Sequence, residues 1–122
     1  MTKYGKKTWL IPDAFYNSVW HGQVSHESVC VINTSDENAK VHLTLLFEDR
    51  DKMDDFYAEC KPGRTHHIRM DKQVSASGKT VPQDVPYAIL VESNVEIVVQ
   101  YSRLDTSQSE MALMSVIAYS EE

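Results

Sequence analysis

The sequence predicts an all-β fold, an antiparallel two-sheet β-sandwich of about eight strands with at most one short helical turn. Three observations predict it. Apolar and polar residues alternate with the two-residue period of a half-buried strand, most cleanly over Ala39 to Phe47. Turn-forming clusters such as TSDEN and KPGR divide the chain at spacings that suit a sandwich or barrel. Only SQSEMALM offers helical content, about one turn.

Taken in order, Lys7 to Ile11 is a short apolar strand closed by Pro12, with Trp9 expected in the core. DAFYNSVWHGQV mixes aromatics and turn formers without a period and reads as a long surface loop. Glu27 to Asn33 is β-branched and nearly continuously apolar, so burial on both faces is expected. Ala39 to Phe47 sets Val41, Leu43, Leu45 and Phe47 on one face, and EDRDKMDD follows as a charged hairpin tip. Phe56 to Cys60 and Thr65 to Met70 read as a second hairpin around KPGR. DKQVSASGKTVPQD is a second long loop. Tyr87 to Glu92, a tight corner at Ser93-Asn94, and Val95 to Leu104 follow. The polar connector RLDTSQSE then leads to a last strand, Ala112 to Tyr119.

Val95 to Val99 and Ala112 to Ala118 carry apolar residues on both faces, more than one sandwich interior absorbs. Exposed apolar strand surface marks interfaces, so a homo-oligomer is expected. At 122 residues the chain is expected to form a single domain, 1–122, large enough to bury a core unaided. MTKYGKK is basic, but no long apolar run follows it. Neither a signal peptide nor a membrane span is expected, and the cytoplasm is the expected compartment. The only cysteines, Cys30 and Cys60, are then expected to be reduced and buried.

A formal charge of −6 opposes non-specific attraction to nucleic acid. No G-x-S-x-G elbow or glycine-rich phosphate loop exists, and neither cysteine has a histidine near it in sequence, so no enzyme is expected. A hydrolase would need paired carboxylates such as Glu27 and Asp105. No His, Cys or Asp spacing matches a zinc or calcium site, and no cofactor is expected.

The binding candidates cluster where strands meet polar corners. Arg103 and Asp105 are two apart and share a strand face. A guanidinium fork beside a carboxylate suits vicinal hydroxyls, though the same pair also serves to pin the connector to the sheet. Gln108 extends that corner. His26 and Glu27 stand where the first long loop enters a strand, pointing to opposite faces. Trp20, in the loop beside His21 and Gly22, is the indole placed to stack on a ligand. On Arg64 to Arg69, His66 shares a face with Arg64 while His67 shares the other with Arg69.

SHESVCVIN (Ser25 to Asn33), RTHHIR (Arg64 to Arg69), SNVEIVVQYSRLD (Ser93 to Asp105), ALMSVIAY (Ala112 to Tyr119) and Trp9 together resemble the Anabaena sensory rhodopsin transducer family. The resemblance runs over nearly the whole chain. It implies a small antiparallel β-sandwich assembled as a homotetramer. It also implies a non-enzymatic module that binds a small polar ligand such as a sugar and acts in signalling. The alternative it implies is a transducer that binds the cytoplasmic face of a receptor such as a sensory rhodopsin. DNA binding is a third, weaker implication.

Overall fold

The computed structural model describes residues 4–16, 26–105 and 112–121. Their elements are β1 (Lys6–Phe15), β2 (His26–Asn33), β3 (Ala39–Phe47), β4 (Met53–Cys60), β5 (Arg64–Arg69), a 3-10 turn at Met70–Lys72, β6 (Pro86–Asp105), β7 (Ala112–Ile117) and β8 (Tyr119–Glu121). All strand pairings are antiparallel.

β6 is the frame. Its first half lies between β3 (Val41 opposite Ser93 to Phe47 opposite Tyr87) and β1 (Thr8 opposite Glu92 to Phe15 opposite Pro86). β4 extends that sheet beyond β3, and β8 extends it beyond β1. The second half of β6 lies between β2 (Ile32 opposite Val98 to His26 opposite Leu104) and β7. β5 completes this second sheet beyond β2. One strand therefore runs through both sheets and changes partners between Ser93 and Val98.

Period-two alternation holds along the whole of β6. Tyr87, Ile89, Val91, Val95, Ile97, Val99 and Tyr101 are all buried. They meet Trp9, Ile11 and Ala14 of β1, Val29 and Val31 of β2, and Val41, Leu43 and Leu45 of β3 in one core. Fully burying an aliphatic side chain of this kind contributes about 1.5–3 kcal/mol, so these facing rows dominate the stability. The Trp9 indole N–H donates to the carbonyls of Lys6 and Ile97, which accounts for its polar atom in that core.

The structure corrects several sequence expectations. Ser93-Asn94 is not a turn, because the strand runs through it unbroken. Pro12 does not close β1. It is exposed and falls in the register shift between Ile11 and Ala14, where no ladder N–H is required, so the strand continues to Phe15. KPGR does not join a hairpin, because β4 pairs with β3 whereas β5 pairs with β2, and the turn crosses from one sheet to the other. The buried Asn33 amide anchors that crossing by donating to the carbonyls of Glu37 (2.8 Å) and Cys60 (2.9 Å). β2 is not covered on both faces, since Ile32 is exposed.

The stretch after β5 is tied down. Arg69 forks onto Asp71 with both bonds at 2.8 Å, and Ala76 and Ser77 donate their N–H groups to Asp55. The short helical turn forms here, at Met70–Lys72, whereas Ala112–Ile117 is strand. Residues 106–111 lie outside the described residues.

Candidate functional site

Glu27 begins the inward-facing row of β2 and is fully buried. One carboxylate oxygen accepts the Tyr87 hydroxyl. The other accepts the Tyr101 hydroxyl and the Phe15 N–H (3.1 Å). Tyr87 and Tyr101 stand near opposite ends of β6, and fourteen residues of straight strand span about 46 Å. Both hydroxyls reach one carboxylate only because β6 bends back on itself. Glu27 is therefore a clasp holding the two sheets together at one end of the sandwich.

Burial raises the Glu27 pKa, and this outweighs the opposing influence of the two tyrosines, the Phe15 N–H and the Arg103 charge. Burial also pushes both tyrosines well above the ordinary phenol range, reinforced by the nearby Glu27 charge. The phenols keep their protons and stay donors.

Arg103 lies directly opposite Glu27 in the β2–β6 register. Its guanidinium is 4.0 Å from the Asp13 carboxylate; the Arg103 side chain is 19% exposed and that of Asp13 77%. A hollow of about 300 Å³ opens beside Asp13, lined also by Pro12, Phe47, Glu48, Pro86 and Tyr87. The buried carboxylate thus backs a guanidinium that is itself partly open to solvent, with a second carboxylate at its rim. Such an arrangement can hold a small polar ligand through the donor fork and the rim acceptor.

The sequence-predicted residues separate on this geometry. Glu27 and Arg103 come together, and Glu27 is engaged as a structural clasp. His26 is half-buried and sits opposite Leu104, on the other face of the sheet from Glu27. Asp105 closes β6 opposite Ala112, and its carboxylate is outside what the structure describes. Gln108 and Trp20 lie outside the described residues. Asp13, Tyr87 and Tyr101 are members that the sequence reading missed. The two tyrosines carried a signal, because they share the inward parity of Ile89 and Val99, and a core tyrosine needs an acceptor. Asp13 carried none.

Among the described residues, no group of three or more His, Cys, Asp or Glu side chains could hold a metal ion. No described helix is long and apolar enough to cross a membrane. Cys30 and Cys60 are free thiols, the first half-buried and the second buried.

Fold and site define a small antiparallel two-sheet module with a polar cluster at one end, built around a strand common to both sheets. The chain belongs to the Anabaena sensory rhodopsin transducer family, whose family model matches residues 4–120. The crystal structure of Thermotoga maritima 1070 is similar at 40% identity and a TM-score of 0.84, covering 97% of each chain. The Anabaena sensory rhodopsin transducer itself is similar at 31% identity and a TM-score of 0.76, covering 89% of this chain and 96% of that one. No curated protein is significantly similar.

Proposed function

We propose that the chain is a non-enzymatic, single-domain transducer that works in the cytoplasm by binding the cytoplasmic face of a membrane receptor such as a sensory rhodopsin. The observation that carries this reading is the match to the transducer family over residues 4–120, together with the 31% identity to the Anabaena transducer. Affinity capture from detergent-solubilised membranes of the source organism tests it. Recovery of an integral membrane receptor is the expected result. Recovery of soluble proteins alone overturns it.

A second reading is favoured by the partly open Arg103 near Asp13 and the hollow that Asp13 lines. In it, Arg103 and Asp13 bind a small polar ligand, a sugar for example, and Asp105, Gln108 and Trp20 are the further candidates that the sequence offers. His26, on the opposite face, has no part in that pocket, and Glu27 acts on Arg103 only as a nearby charge. Calorimetric titration with a panel of monosaccharides tests this reading. Heat that disappears in Arg103→Gln supports it, and no heat with any member refutes it.

Assembly as a homotetramer is supported by the outer face of the second sheet. Leu113 (75% exposed), Ile117 (66%) and Ile32 present apolar surface there, next to Ser102 and Ser115. DNA binding has less support, given the net charge of −6.

A further inference from the structure

The outer face of the first sheet carries a cluster that neither the clasp nor the apolar face explains. His42 of β3 stacks on Tyr57 of β4, with ring centroids 5.0 Å apart and planes 13° from parallel. Both His42 nitrogens are occupied. Nε2 donates to the Asp54 carbonyl at 2.5 Å, and Nδ1 faces the Glu92 carboxylate at 3.5 Å. That ring is a fixed floor, while Tyr57 remains 62% exposed. Beside the pair is a hollow of about 440 Å³ lined by Lys40, Val41, His42, Tyr57, Ala58 and Glu59. Register sets Lys40 opposite Glu59, and His42 opposite Tyr57 on one side and Glu92 on the other.

An aromatic pair with a carboxylate in the lining, Glu59, suits a flat cation. A guanidinium stacks on an aromatic face and offers a planar fork to a carboxylate, which a neutral ring or a spherical ammonium cannot do equally well. Lys40 is the opposing charge, set against Glu59 in the lining and Glu92 behind His42. The chain's charge of −6 favours a cationic occupant over longer range. Cytoplasmic loops of membrane proteins carry an excess of Lys and Arg, so a receptor would present this chemistry on that side.

We propose that the His42–Tyr57 hollow receives an arginine side chain from a basic cytoplasmic segment of the receptor. This rests on the transducer reading and names the surface and chemistry that would serve it. The full chain, isotopically labelled, would be titrated with an acetylated and amidated glycine–arginine pentapeptide while amide and tyrosine-ring NMR shifts are followed. Matched peptides carrying citrulline or lysine, and methyl glucoside as a neutral ring, serve as comparisons.

Saturable shifts confined to residues 40–43, 54–60 and Glu92, absent with citrulline and weaker with lysine, are the expected result. Tyr57→Ala should weaken binding about two- to five-fold, Tyr57→Phe should leave it unchanged, and Glu59→Gln should weaken it about two-fold. Dispersed shifts, equal binding of citrulline or methyl glucoside, or full binding by Tyr57→Ala overturns the proposal. The same variants in the membrane capture separate the two ideas. Receptor recovery undiminished by Tyr57→Ala and Glu59→Gln sinks this surface alone. Localised peptide binding without any membrane partner keeps the arginine site and fails the receptor reading.

Discussion

Removing the Glu27 carboxylate should cost far more than neutralising it. In Glu27→Ala, the Tyr87 and Tyr101 hydroxyls lose their acceptor in a buried place, while the Phe15 N–H keeps only the Tyr101 oxygen at 3.4 Å. A buried donor left without a partner costs about 1–3 kcal/mol. Part of that is offset because a carboxylate no longer has to be desolvated, which leaves a net loss of about 2–4 kcal/mol. Domains of this kind are stable by about 5–15 kcal/mol in total, so the variant should lose a large share of its stability. Glu27→Gln keeps one acceptor oxygen for Tyr101 and Phe15, and its amide can donate to the Tyr87 oxygen, so its cost should be about 1 kcal/mol.

The pH dependence follows from the raised Glu27 pKa. The folded chain holds this proton more tightly than the unfolded one, so the contribution is fully present below the ordinary carboxylate value. It is lost as pH rises through the higher folded value. Urea unfolding of wild type and Glu27→Gln at several pH values between about 4 and 8 isolates the effect, because other groups cancel in the difference. The advantage of wild type over the glutamine variant should shrink with rising pH and then level off. An equal loss in the alanine and glutamine variants, or a difference that grows with pH, would refute the clasp.

Two other outcomes are expected. Ile117→Lys and Leu113→Lys place a charge on the exposed apolar residues of β7, so light scattering should report a single-chain mass for each while circular dichroism stays strand-like. An unchanged multimer in both would remove that face from the assembly. Gly5→Ala would drive a Cβ into the Ile97 carbonyl oxygen at a φ of +95°, whereas Gly78→Ala at +87° meets no atom within 4 Å. Gly78→Ala should therefore cost about 1–2 kcal/mol and Gly5→Ala clearly more. Equal denaturant midpoints would show that the overlap at Gly5 is relieved by movement.

What could be read from the sequence was whatever lies within one strand. The buried row Val41, Leu43 and Leu45 is a local pattern, and so is the inward parity of Ile89, Val91, Ile97 and Val99. Relations between strands were harder. KPGR announces a reversal of the chain, but nothing in a Pro-Gly turn says that the next strand joins the other sheet. Pro12 reads as a stop until a register shift makes its missing N–H harmless. The clasp was hidden for the same reason. Its carboxylate, both phenols and the Phe15 N–H come from β1, β2 and the two ends of β6, and only the bend in β6 brings them together. Arg103 and Glu27 were legible as polar residues at the ends of apolar runs, whereas Asp13 was not.

The late position of β6 in the chain has a consequence for how the protein comes into being. β1, β2 and β3 are all made before residue 86, yet on one edge each takes its ladder from β6. A growing chain therefore holds three strands with no central partner until most of it has been synthesised. Pairings so distant in sequence close slowly, on the millisecond-to-second scale of non-local β folds. During that wait, their unpaired edges are the segments most open to capture by a chaperone or by another nascent copy.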